Sequence, residues 1–164
     1  MAEPGASSAD VMPDEPGDRV RAVIERVLDA VEIDAEVELE EDDEAITARI
    51  EGEDLGLLIG RHGQTIDALQ LLCYRAAFRG STERKRVVVD AAGYRDRRHD
   101  ILSRQADSAA ERALRGGNPV ELEPMSSQER RVVHDHLKER PGIETYSEGD
   151  EPERRVIVAP LISA

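Results

Sequence analysis

The run Leu55-Gly56-Leu57-Leu58-Ile59-Gly60-Arg61-His62-Gly63-Gln64-Thr65 constrains this chain more than any other stretch. One apolar turn of helix ends at a glycine, Arg61 and His62 follow, and a second amphipathic run starts directly after Gly63. In that second run Ile66, Leu69, Leu72, Cys73, Ala76 and Ala77 recur at helical spacing, and Gly80 ends it. Two helices therefore meet across four residues. Both glycines are expected in a solvent-facing loop, where they let the backbone approach a ligand. The amides of Gln64 and Thr65, with the positive end of the second helix dipole, suit a phosphate, and Arg61 adds a full charge.

The flanking segments place this loop in an α+β unit. Val20, Val23, Ile24, Val27, Leu28 and Val31 fall at helical spacing, with Asp18 available as N-cap, which predicts a helix over 19–31. Ala35, Val37 and Leu39 alternate with Glu36, Glu38 and Glu40; after Glu41-Asp42-Asp43-Glu44, Ile46, Ala48 and Ile50 alternate with Thr47 and Arg49. That is an antiparallel hairpin with one buried face. Arg84 to Asp90, centred on Val87-Val88-Val89, reads as a third strand. The order is αββααβ. Residues 1–17, rich in Pro, Gly, Ser, Ala and acid, read as a disordered acidic tail, leaving 18–92 for this first unit.

Residues 93–160 form a linking helix and a second, smaller α+β unit. The helix runs over 94–115 with Ile101, Leu102, Ala106, Ala109, Ala113 and Leu114 as its stripe and Gly116-Gly117 as its stop. Such a length suits a connection between two modules. Val120 to Leu122 reads as a short strand, Ser126-Ser127-Gln128-Glu129 as a capping box opening a helix to about Lys138, and Ile143–Ser147 with Arg154–Ala159 as two further strands. On the capped helix, His134 and Lys138 follow Arg130 one and two turns on, and helical rotation carries Arg131 to the far margin of the same sector. Val132, Val133 and Leu137 fall on the remaining side. One face is basic and the other packs. Arg130 is suited to fork onto a phosphate, and His134 to donate a hydrogen bond or stack on a base. Arg95 and His99 share the spacing of Arg130 and His134 and read as a solvated face.

The formal charge of −14 hides a strong polarity. Residues 1–54 hold 19 acids and 4 bases, whereas residues 60–115 hold 12 bases and 7 acids. What attracts phosphate is a local basic surface, so a nucleic-acid partner stays open. Twenty of the 22 basic residues are Arg, which favours bidentate phosphate contacts. A single thiol, Cys73, excludes an internal disulfide and a Cys-based zinc cluster. No apolar run reaches the roughly 20 residues of a membrane span, and the start of the chain lacks the pattern of a signal peptide, so a soluble intracellular protein is expected. The four His (62, 99, 134, 136) are dispersed, and no nucleophile with its base or carboxylate pair is evident. Neither enzymatic activity, a cofactor nor a metal is expected.

Gly60-Arg61-His62-Gly63 within αββααβ is the arrangement of a type II KH domain, whose GxxG loop clamps about four nucleotides of a single strand. With the second unit included, residues 18–160 resemble the paired KH and Arg-x-x-x-His (R-three-H) domains of the Jag, or SpoIIIJ-associated (KhpB), family. Gly56 through Gln70 resembles its KH core, Met125 through His134 its signature helix, and Thr145 through Pro152 its closing turn. The resemblance implies a bacterial cytoplasmic protein that binds single-stranded RNA in post-transcriptional control linked to cell elongation and division. It also implies partnership with a small single-KH protein, with self-association as the alternative. The implied RNA-binding residues are Gly60, Arg61, His62, Gly63, Gln64, Thr65, Arg130, Arg131, His134 and Lys138. Many relatives carry an additional N-terminal Jag domain that does not occur in this sequence, and functions of that part do not transfer. His62 stands where relatives often place a second Arg or Lys, and an ordinary imidazole is mostly uncharged at neutral pH. The competing class is a protein-interaction adaptor that pairs with another KH protein without reading RNA.

Overall fold

The structure is a computed structural model and describes residues 12–161. It falls into two compact units, divided between Tyr94 and Arg95. Of the expected acidic tail over 1–17, residues 1–11 lie outside the described residues, and Pro16 and Gly17 are already helical.

In the first unit, helix α1 spans Pro16–Ala30 with Glu15 as N-cap in extended conformation, three residues earlier than the start expected from Asp18. Proline explains the shift, because its fixed φ and missing N–H suit the first helical position. Strands β1 (Ala35–Glu41) and β2 (Ala45–Gly52) pair antiparallel, and β3 (Arg86–Ala91) joins β2 in parallel, with Ala45 opposite Arg86 and Ile50 opposite Ala91. The sheet order is β1-β2-β3. Asp42 closes the hairpin: its Oδ1 accepts from the Glu44 and Ala45 amides at 2.7 and 2.8 Å, and these bonds hold its carboxyl below the usual range. At the other edge, the Val89 amide donates to Gln70 Oε1 at 3.0 Å.

The short helix α2 (Gly56–Ile59), a single 3-10 turn over Arg61–Gly63, and helix α3 (Gln64–Ala77) connect β2 to β3. Val20, Ile24, Ile46, Ile50, Ile66, Cys73 and Val89 form the centre of the core. Ala35, Val37 and Leu39 of β1 are only half-buried. Leu72, expected in the α3 stripe, is exposed, because the buried set Ile66, Leu69, Cys73 and Ala77 turns it away by one residue's rotation.

In the second unit, helix α4 (Tyr94–Gly116) buries Leu102, Ala106, Ala109, Ala110 and Ala113. Ile101 and Leu114, both expected in this stripe, are exposed, and Ala110 takes part instead. Small residues let the other elements approach closely, so the stripe selects alanine over the larger side chains beside it. Gly117, at φ +68°, ends the helix and donates its amide to the Ala113 carbonyl at 2.8 Å. Strands β4 (Val120–Glu121), β5 (Ile143–Glu148) and β6 (Arg155–Pro160) form an antiparallel sheet in the order β4-β6-β5. Helix α5 (Ser127–Leu137) opens on a complete capping box between Ser126 and Glu129. Glu129 is buried there, its second oxygen accepting from Arg98 Nε at 2.7 Å. Val133 and Leu137 pack with Leu102, Met125, Val156 and Val158. Among the described residues no helix is long and apolar enough to cross a membrane.

Candidate functional site

The loop from Gly60 to Gly63 has a left-handed backbone at three of its four residues: Gly60 at φ +72°, His62 at +52° and Gly63 at +78°. For Gly60 the requirement is also spatial. A Cβ there would lie 2.8 Å from Thr65 Cβ and 2.9 Å from its amide nitrogen. Glycine therefore keeps open the approach to the first turn of α3, where Gln64 and Thr65 are both exposed. The Gln64 amide is not open to an anion, since it donates to the Arg61 carbonyl in the 3-10 turn.

Gly63 corrects the expectation that both glycines face solvent. It is buried, and a Cβ would lie 2.7 Å from Cε1 of Tyr94. The Tyr94 ring thus supports the loop from beneath, a role that no periodicity announces. Arg61 is exposed and His62 half-buried, so the loop presents one permanent positive charge at a helix N-terminus.

The residues singled out on α5 divide into two sets. Arg131 and Lys138 are exposed, with Arg131 Nε 3.4 Å from Asp135 Oδ2. Arg130 is not presented to solvent as its place on a basic face suggests. Its side chain is 9% exposed, Nη1 donates to the Met125 carbonyl at 2.8 Å, and Nη2 to Glu151 Oε1 at 2.6 Å. The physical reason is angular, because Leu137, a core residue, lies two turns on and almost in line with Arg130 along the helix.

His134 is half-buried and held at both ring nitrogens. Nδ1 is 2.7 Å from Thr145 Oγ1 and Nε2 3.0 Å from Ser147 Oγ, two hydroxyls on one face of β5. Burial, reinforced by the neighbouring Arg130 charge and partly offset by Asp135, lowers the His134 pKa below the ordinary imidazole value. The ring is neutral at pH 7, with one nitrogen donating and the other accepting. Thr145, Ser147 and Glu151 complete the arrangement. Their only sequence signal is the two-residue spacing of the hydroxyls beside an acidic turn.

Comparison with known proteins follows the same division. The KhpA/KhpB KH-domain family model matches residues 18–90, and the R-three-H domain model residues 100–160. The chain is 36% identical over 144 residues to the RNA-binding protein KhpB of Clostridium symbiosum, covering 87% of this chain and 65% of that protein. It is 33% identical over 147 residues to the protein of that name from Bacillus subtilis (strain 168), covering 88% and 71%. For the protein of that name from Lactiplantibacillus plantarum the identity is 36% over 143 residues, covering 85% of this chain and 44% of the relative. The chain thus spans less than two thirds of the length of the first and third of these relatives. With both domain models in order along it and this identity over most of its residues, the chain belongs to the KhpB family of KH and R-three-H proteins.

Proposed function

We propose that this protein binds single-stranded RNA, with the loop from Gly60 to Gly63 as a clamp on the strand's backbone. The observation that carries the reading is the exposed Arg61 in a left-handed glycine loop at the start of α3, with Gly60 leaving the Thr65 amide approachable. Such a loop suits a phosphate: charge, helix dipole and close backbone access coincide. His62, Gln64 and Thr65 line the same turn. On α5, Arg131 and Lys138 supply the exposed charge, whereas Arg130 and His134 hold the Met125 carbonyl, the Glu151 turn and β5 around them. The relatives' printed name, RNA-binding protein, supports the same substrate class.

The biological setting implied by the family resemblance is post-transcriptional control linked to cell elongation and division, exercised in the cytoplasm with a small single-KH partner. A second reading, an adaptor that pairs with another KH protein, draws on Leu71 and Leu72 of α3, each 56% exposed. The deciding experiment is fluorescence anisotropy with a labelled 12-nucleotide RNA on the full chain and on Arg61→Glu. Because Arg61 is exposed, the variant keeps its fold, and reversing one phosphate-facing charge weakens binding by about 1.5 to 3 kcal/mol. Unchanged affinity in the variant rejects the clamp. No RNA binding by either protein, with retention of a single-KH protein, establishes the adaptor.

A further inference from the structure

Three guanidinium groups and two aromatic rings gather at the end of α3 opposite the glycine loop. Tyr74, Arg75, Phe78, Arg79 and Arg84 line a solvent-open concavity of about 470 Å³, and among the described residues no carboxylate forms part of its wall. The 14 residues of α3, at ~1.5 Å each, separate it from Gly63 by roughly 20 Å. The Tyr74 and Phe78 ring centroids are 5.4 Å apart at 59°. Arg84 is fixed over Phe78, its Cζ 5.9 Å from the ring centroid, by donation from Nη1 to the carbonyls of Ser81 and, at 2.8 Å, Glu83.

Ordinary structural roles do not account for Arg75 and Arg79. A helix C-terminus favours basic side chains, but the final carbonyl of α3, Ala77 O, and the Arg79 carbonyl just beyond it are met from α1, where Arg19 Nη1 reaches each at 3.4 Å. Two acids of the β1–β2 hairpin are engaged elsewhere, Glu41 with Lys85 at 2.9 Å and Asp42 with its own hairpin amides. Both Arg75 and Arg79 are exposed and have no ion-pair partner among the described residues. Arg75, in the last turn of α3, and Arg79, just beyond its end, bring like charges to one wall, and an anion between them relieves their repulsion. The concavity is open to solvent, unlike the enclosed pockets of small ligands, and it sets the half-buried Tyr74 ring beside forked donors.

We propose that this concavity is a second contact for the same RNA strand, in which the strand continues past the glycine loop along α3, stacks a base on Tyr74 and places phosphate on Arg75 and Arg79. The inference rests on the RNA-binding reading above and extends the occupied length beyond the four or so nucleotides of a GxxG clamp.

Binding of labelled 4- and 12-nucleotide RNAs to the full chain tests it, using Arg75→Gln with Arg79→Gln and, as a matched charge control, Arg112→Gln with Arg115→Gln. The wild type prefers the longer RNA. In the Arg75/Arg79 variant the 12-nucleotide affinity falls about tenfold, its log–log salt slope shrinks by about 1.4, the value for two phosphate contacts on a single strand, and the 4-nucleotide affinity is retained. The control variant keeps the preference for length. Equal loss for both RNAs, equal loss in the control, or no loss for the longer RNA overturns the second contact while leaving the clamp intact. If the wild type binds neither RNA, the RNA-binding reading itself falls and the second contact with it.

Discussion

Arg130 and Glu151 form an ion pair of unequal partners: the guanidinium is 9% exposed and the carboxylate 58%, with 2.6 Å between Nη2 and Oε1. The arginine therefore ties the turn before β6 to α5 and also satisfies the Met125 carbonyl. Arg130→Ala leaves that carbonyl unmet and should destabilise the second unit by about 2 to 3 kcal/mol. Arg130→Lys should recover only part, since an ammonium lacks the fork. Urea denaturation monitored by circular dichroism measures both. A midpoint equal to wild type for Arg130→Ala would assign this residue to ligand contact instead.

Substituting the loop glycines has a structural effect that precedes any effect on binding. Gly60→Asp and Gly63→Asp each place a Cβ at positive φ against Thr65 or Tyr94, and each should cost about 1 to 3 kcal/mol. The double variant is expected to melt well below wild type, in contrast to Arg61→Glu. Thermal scans of the three proteins check this, and coincident curves would mean that the loop tolerates side chains at both glycines.

Acid should weaken the second unit through His134. Its folded pKa lies below the ordinary imidazole value, so between the two the unfolded chain binds more protons. The contribution is complete above the ordinary value near ~6.5 and is lost as pH falls through the folded one. His134→Gln, which retains one donor and one acceptor for Thr145 and Ser147, should flatten the stability profile between pH 7 and 5 relative to wild type. Parallel profiles would remove His134 from the acid response.

Cys73 offers a probe of the first unit. Burial pushes its thiol up to about 12, and its Sγ lies 4.0 Å from the Val20 carbonyl in the core. Alkylation by iodoacetamide at pH 8 should proceed only at the rate at which this unit opens, and mass spectrometry without denaturant should find the thiol unmodified over hours. Prompt labelling would show that the core opens readily.

The acidic strand should steer RNA. Glu40 pairs with Arg49 at 2.9 Å, which leaves Glu36 and Glu38, exposed on the same face of β1, as the negative field there. Replacing both by Gln should accelerate RNA association at low salt, with the difference fading once the Debye length drops below ~8 Å. Stopped-flow rates at two salt concentrations decide it, and equal low-salt rates would leave the strand with a solubilising role alone.

Sequence periodicity carried most of the element order, because alternation in β1 and β2, the valine run of β3 and the Ser126–Glu129 box are local signals. It failed where two neighbours compete for one face. Leu72, Ile101 and Leu114 are as apolar as the residues buried beside them, and only the packed partner decides which turns inward. Arg130 shows the complementary failure: its place in line with Leu137 marks it as core-facing, while its charge suggests the surface. Tyr94 under Gly63 and the two hydroxyls on His134 come from contacts between distant segments, which spacing along one element does not encode.

The single bond from the Val89 amide to Gln70 Oε1 reaches further than local stability. It occupies a donor in the middle of the edge strand β3, while the opposite margin, β1, carries a row of glutamates. A foreign strand arriving at either side meets a blocked donor or a wall of like charge, two devices that deter edge-to-edge growth. The sheet is thereby terminated in both directions, and a chain with an open three-stranded sheet is protected from templating its own aggregation.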